Sequence, residues 1–398
     1  MQSYKFLNII SLCIYSFTFV YGYGKNINIP IVLTSLGVWF LTSLHLEHGW
    51  TSRANNIIKI ILLMYFLDFV YCINLDKDFA QVLIKSTIGY LWFIMFIFYQ
   101  NNLNLLKIPL LILALFITLD AFDTIAGNMI MPGASRMQAD GYDSEASAIM
   151  MQSMHIGGYP LLYSLAFLVF PTTLWIRKEK KIRILLVPII ILFFVTIVYG
   201  SYFISLALSL FMFITSFFHI KNIKKFTIYA LFFSALFIGV KDYALDGIIF
   251  IGQKTETPIL VLHAEQLKDD SSDTETKTGG RMELYMGALK NFGNSPLYGE
   301  LLGDRKIYFS EHSEWLEYLE KYGLFAIVYI LFIVNVFKTS YRSLMSAEMK
   351  NYFKIYIALV VFFLLVNPMR NEQPLTFCLY FAVPLLFKII ESKKYNKI

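Results

Sequence analysis

Apolar residues run along this chain in long blocks separated by short polar stretches. The blocks fall at residues 6–23, 28–44, 57–74, 82–99, 106–122, 157–176, 182–198, 201–218, 226–243, 322–338, 352–367 and 374–390. Each approaches the roughly 20 residues that a helix needs to cross a hydrocarbon core about 30 Å thick. Backbone groups in lipid must find their hydrogen bonds within the segment, so each block predicts a helix. The pattern therefore predicts an all-α integral membrane protein with about 12 transmembrane helices. Its weakest division is between the seventh and eighth blocks, where only Tyr199 and Gly200 intervene.

Composition agrees with this pattern. The 398 residues are 57% hydrophobic and only 16% charged, whereas a soluble domain carries about a quarter charged residues. A water-soluble enzyme core is thereby excluded. The three cysteines, Cys13, Cys72 and Cys378, are odd in number and lie in apolar blocks, which argues against a disulfide framework or a cysteine metal site. The net charge of +6 would suggest nucleic acid only if it formed a clustered basic face. Here its position along the chain matters more, and no nucleic-acid partner is expected.

Charge also orients the helices. The segments RKEKKIR (177–183) and KNIKK (221–225) are both strongly basic, and short basic loops stay in the cytoplasm. Two crossings must separate them, which divides the seventh block from the eighth. The same rule places both termini inside, with Lys388, Lys393, Lys394 and Lys397 closing the chain. Lys5 precedes the first block and no small-residue cleavage site follows it, so that block reads as a retained helix.

Two connections are much longer than the rest, 123–156 and 244–321, both on the non-cytoplasmic side of this topology. Long loops in compact proteins are generally functional or disordered. The chain accordingly divides into 1–243 with nine helices, the large loop 244–321, and 322–398 with three helices and a cytoplasmic tail. Within the large loop, KDDSSDTETKTGG (268–280) reads as a polar linker. After it, Met282, Tyr285, Met286 and Leu289 recur at helical spacing and predict a short amphipathic helix, broken by Gly293 and Pro296. A second helical stretch is expected to start near His312, with Ser310 or Ser313 as its cap.

The second half of this loop reads GGRMELYMGALKNFGNSPLYGE (279–300), then EHSEWLEYLEKYGL (311–324), which leads into a membrane block. The order Gly-Arg, aromatic amphipathic helix, Asn-Ser-Pro-Leu-Tyr-Gly, His-Ser and Tyr-Gly-Leu resembles the signature of the O-antigen polymerase and ligase superfamily. The likeness covers 279–324 in sequence and the whole chain in layout. Members often carry a Ser-Arg pair in mid-chain, but here Gly200-Ser201 is followed by Tyr202. That departure favours a polymerase over the ligase that joins finished glycan to lipid A core. A third reading, a lipid-linked oligosaccharide flippase, would call for internal repeats, and none is visible.

What the resemblance implies is transfer of glycan from an undecaprenyl-diphosphate-linked donor to a lipid-linked acceptor, on the periplasmic face of a bacterial inner membrane. Partners would be those lipid-linked oligosaccharides and the bilayer, with a chain-length regulator left open; no cofactor and no metal are expected. The chemistry needs cations for the diphosphate and a base for the acceptor hydroxyl. Arginine suits the first role because its planar fork binds phosphate oxygens in pairs. Arg281 leads, followed by Arg136, Arg305 and Arg370; the alternative for each is pairing with acids on the same face. His312 is the expected base, since the positive end of a helix would keep its ring neutral, or else it only caps the helix.

Other features stay secondary. Asp68 and Asp120 lie within apolar blocks, where an ionisable group usually faces a wet cavity or a partner; the two could hold sugar hydroxyls or else snorkel to the surface. His45 and His48 have metal-compatible spacing without a third ligand. The Asp76-Lys77-Asp78 run reads as a solvated turn.

Overall fold

The computed structural model describes residues 2–18, 29–74, 79–131, 134–135, 154–200, 203–218, 223–254, 261, 264–265, 268, 274–302, 313–367 and 373–395. Regular structure among them is helical throughout. The helices are α1 (Gln2–Ser16), α2 (Ile29–Leu46), α3 (Trp50–Asn74), α4 (Phe79–Tyr99), α5 (Lys107–Ile130), α6 (Tyr159–Lys178), α7 (Arg183–Tyr199) and α8 (Phe203–Phe217). There follow α9 (Ile223–Lys254), α10 (Thr274–Asn294), α11 (Glu314–Tyr322), α12 (Ile327–Ser343), α13 (Ala347–Val366), α14 (Gln373–Phe377) and α15 (Val383–Tyr395).

Each apolar block overlaps a helix. Among the described residues, six helical runs are long and apolar enough to cross a membrane: Trp50–Asn74, Leu103–Ile130, Tyr159–Lys178, Lys180–Tyr199, Glu314–Ser343 and Pro374–Ser392. Shorter apolar helices occupy Pro30–Leu46, Gly89–Tyr99 and Ile204–Phe217. The protein is an all-helical membrane protein.

Two boundaries differ from the sequence pattern. Helix α9 continues to Lys254, past the end of its apolar block at 243. Helix α10 begins at Thr274, inside the stretch expected to be a linker. Both extensions follow from helix cooperativity: once an apolar run has nucleated, each added residue gains a hydrogen bond for its own ordering alone.

The chain forms two compact units. The first comprises Met1–Leu46, Asn102–Asp273 and Ile389–Ile398. Helix α6 is its core, with every residue from Pro160 to Leu174 buried between α7 and α8. A helix apolar and buried all round has no polar face to orient it, and close approach does that work here. A Cβ on Gly200 would intrude on the Leu162 side chain. Elsewhere in this unit α1 is joined to α2 by Asn8, whose Nδ2 donates to Thr42 Oγ1 at 3.0 Å and Ser43 Oγ at 2.8 Å. Such polar bridges substitute for the hydrophobic drive that lipid removes.

The end of α5 in this unit is pinned to the loop that follows. Asn128 Nδ2 donates to Ser135 Oγ at 2.8 Å, Ser135 Oγ donates to the Gly157 carbonyl at 2.7 Å, and Gly157 N donates to Thr124 Oγ1 at 2.8 Å. Asn128, Ser135 and Thr124 are fully buried.

The second unit comprises Glu47–Asn101 and Thr274–Lys388. Its core is aromatic. Tyr90 and Phe93 of α4 meet Phe332 of α12 at ring distances of 4.8 and 6.2 Å, and Trp92 packs on Phe377 at 4.7 Å. Between α14 and α15 the chain widens into a π-helical turn, Cys378–Ala382, which packs against α4.

Candidate functional site

The described parts of the segment that carries the sequence resemblance, 279–302 and 313–324, belong to the second unit and meet in one junction. Helix α10 ends at Asn294, a turn follows through Leu302, and α11 leads through a tight 3-10 turn, Gly323–Ala326, into α12. Of the two expected caps, Ser313 caps α11, its side chain accepting from Leu316 N at 3.4 Å; Ser310 lies outside the described residues. Glu314 and Glu317 in the first turn suit the positive end of the helix.

Two glycines let the turn and the helix end touch. Gly299 and Gly323 both have φ of +56°, a region that costs L-residues with a Cβ but not glycine. A Cβ on Gly323 would stand 2.6 Å from Gly299 N, and one on Gly299 would stand 2.5 Å from the Glu320 carbonyl oxygen. The contact is stitched by main-chain bonds: Glu300 N donates to the Glu320 and Lys321 carbonyls at 3.1 Å, and Leu324 N donates to Pro296 O at 2.8 Å. Beside it, Asn291 Nδ2 of α10 donates to Glu320 Oε1 at 2.6 Å, with Glu320 fully buried. The Asn-Ser-Pro-Leu-Tyr-Gly and Tyr-Gly-Leu elements are thus two sides of a single contact.

A tyrosine ladder connects this junction to α3. Tyr318, Tyr322 and Tyr329 stack, with ring distances of 4.5 Å between Tyr318 and Tyr329 and 4.6 Å between Tyr322 and Tyr329. Both lower rungs end on one carboxyl group: Tyr322 Oη donates to Asp68 Oδ1 at 2.5 Å and Tyr329 Oη at 2.9 Å. Tyr318 Oη donates to Glu314, which is fully buried. At the end of α3, Asn74 donates to the Leu301 carbonyl, holding the turn from the other side. Lys321 pairs with Glu317 and lies 5.8 Å over the Tyr71 ring. Trp315 Nε1 donates to the Val361 carbonyl of α13 at 3.3 Å.

Asp68 is therefore neither at the surface nor open to a sugar. It is fully buried and anchors two tyrosines, which makes it a positioning residue. Asp120, in the first unit, is also buried, and its carbonyl accepts from Thr124 Oγ1. His45 stacks on Tyr4 at 3.8 Å, and Glu47 pairs with Arg53 at 2.8 Å. His312, Arg136, Arg305 and Arg370 lie outside the described residues, as do Ser201 and the Asp76-Lys77-Asp78 run. The backbone of Arg281 is helical, within α10; its side chain is outside the description.

The placement of these helices still bears on the site. Both α10 and α11 run into the Asn291–Glu320 contact with their C-terminal ends. At a rise of 1.5 Å per residue, Arg281 stands about 15 Å back along one helix and Ser313 about 10 Å back along the other. Tyr322, Tyr329, Asn74 and the Asn291–Glu320 pair escaped the sequence reading. The four-residue spacing of Tyr318 and Tyr322 was a usable signal, since such residues share one helix face, whereas Tyr329 joins them only across the Gly323–Ala326 turn.

Compared with known protein families and with curated proteins, the chain matches no family model and no curated sequence. Its class rests on the fold: a membrane protein of apolar helices, in which one polar junction is tied to a helix far away in sequence.

Proposed function

We propose that this protein is a glycan polymerase that acts on lipid-linked sugars, as the O-antigen polymerases do. It sits in a bacterial inner membrane with twelve crossings, both termini inside and the two long loops in the periplasm. Arg281, with help from Arg136, Arg305 and Arg370, holds the diphosphate of an undecaprenyl-linked donor. His312 accepts the proton of the acceptor hydroxyl as that oxygen attacks the anomeric carbon. The carbon–oxygen bond to the diphosphate breaks in the same displacement, which inverts the anomeric centre and leaves undecaprenyl diphosphate on the arginines. No metal is required, because the cations are side chains.

The observation that supports this reading is the Gly299–Gly323 contact. Gly299 and Gly323 stand in two parts of the resemblance with a helix between them in sequence, yet their backbones meet in one contact. A structural core of this kind is what a positioned loop needs, since catalysis demands reactive groups held on a rigid support.

The test is a gel of lipopolysaccharide from a strain lacking the gene. Core carrying a single repeat unit is the outcome expected of a polymerase. Core alone would instead indicate a ligase or a flippase, and lipid-linked repeats accumulating on the periplasmic face would then single out the ligase.

A further inference from the structure

In the first unit a cavity of about 630 Å³ opens between α6, α7 and α8. Ligand pockets typically run from about 300 to 1,000 Å³. Its wall is hydrocarbon, with Ile190, Phe194, Phe213 and Phe217 among the lining residues, and its two charged members are Arg177 and Arg183. These arginines sit at the same end, since Arg177 is in the last turn of α6 and Arg183 opens α7. Pro188 lies inside α7; a proline removes one helix hydrogen bond and crowds the carbonyl four residues back.

Among the described residues, neither guanidinium is neutralised. Arg177 Nη1 donates to the Ser216 carbonyl at 2.8 Å and to that of Phe217, at the negative end of α8. Arg183 Nε reaches the Ile176 carbonyl at 3.4 Å. Among the described residues no carboxylate pairs with either; Glu179, which lies between them in sequence, accepts from Trp175 Nε1 at 3.0 Å. A guanidinium has five N–H donors, so these main-chain bonds leave several unused.

We infer that this groove holds an anionic phospholipid of the bilayer, its phosphate on Arg177 and Arg183 and an acyl chain along the apolar wall. The charge asymmetry selects the occupant. A free phosphate would leave the phenylalanine and isoleucine wall without a partner, and a zwitterionic lipid would bring its own cation up to the two arginines. A phosphodiester with one net negative charge and a hydrocarbon tail matches both ends, and guanidinium binds phosphate oxygens in pairs. The site is on a different unit from the proposed catalytic junction, and it stands whether or not the protein transfers sugars.

The experiment is native mass spectrometry of the full-length protein in detergent, after incubation with dioleoyl phosphatidylglycerol, dioleoyl phosphatidylcholine or glycerol phosphate. Phosphatidylglycerol is expected to remain bound at least about tenfold more tightly than phosphatidylcholine, a difference the loss of one charge-assisted contact produces. Arg183→Gln removes one cation from an exposed position and should weaken phosphatidylglycerol about tenfold. Ile191→Trp, at a groove residue that is 57% exposed, keeps both charges and should reduce binding by filling the groove. Equal retention of both lipids, or unchanged phosphatidylglycerol in both variants, would overturn the inference. So would glycerol phosphate binding as tightly as the lipid, which would mark a site for free anions.

Discussion

The hydroxyl of Tyr322 meets the carboxyl of Asp68 at 2.5 Å, although 254 residues separate them in the chain. The bond closes the second unit on itself, because Asp68 belongs to α3 and Tyr322 ends α11, where the signature turn packs. With Tyr329 as a second donor to the same oxygen, the angle at which α11 enters α12 is held by buried polar contacts as well as by stacking.

Tyr322→Phe should destabilise the protein by about 1 to 3 kcal/mol, the usual cost of leaving a buried polar partner short of a hydrogen bond. In an Asp68→Leu background the same change should cost much less, because its partner is already gone. Thermal unfolding in detergent of the two single variants and the double variant gives the coupling directly. Additive losses would mean that the two groups do not interact in solution.

Gly323→Ala should be more damaging than its one added methyl suggests. The side chain would both disfavour φ of +56° and stand 2.6 Å from Gly299 N, and strained backbone of this kind costs on the order of 1 to 3 kcal/mol. Limited proteolysis should cut the 295–302 turn faster in the variant. An unchanged cleavage pattern would show that the two backbones can part without consequence.

For the leaving group, Arg281→Lys should retain little polymer-forming activity, since a point charge cannot reproduce paired contacts to diphosphate oxygens. Arg281→Ala should abolish chain extension while the protein remains inserted, as judged by its level in washed membranes. Normal long-chain product from the alanine variant would shift the diphosphate role to Arg136 or Arg370.

Removing the proposed base by His312→Ala should slow transfer by about 10² to 10⁴, the usual worth of general base catalysis. Donor binding should persist. In a reconstituted assay the wild-type rate should fall as pH drops through about 6.5, where a histidine becomes protonated and can no longer accept the proton. A flat profile with chemistry rate-limiting, together with near-normal turnover by His312→Gln, would reduce the residue to a helix-capping role.

The topology makes its own demand. Reporter fusions at Gly141 and Thr274 should read periplasmic, and fusions at Lys180 and Lys393 cytoplasmic. A C-terminus on the outside would rule out an even number of crossings with the N-terminus inside.

The sequence by itself determined that this is a helical membrane protein and that each apolar block overlaps a helix. Those facts follow from apolar length and from the backbone's need to satisfy itself in lipid, both of which are local properties. The cap of α11 was legible to within two residues, Ser310 and Ser313, for the same reason, since a cap depends only on the first turn of its own helix. Tertiary structure alone decided that Asp68 is buried under Tyr322 and Tyr329, and that Gly299 and Gly323 lie back to back. An aspartate in an apolar block reads the same from sequence whether it snorkels, lines a cavity or takes a tyrosine partner. Only the packing of distant helices chooses among them, because the cost of burying its carboxyl group is set by donors that no local pattern records.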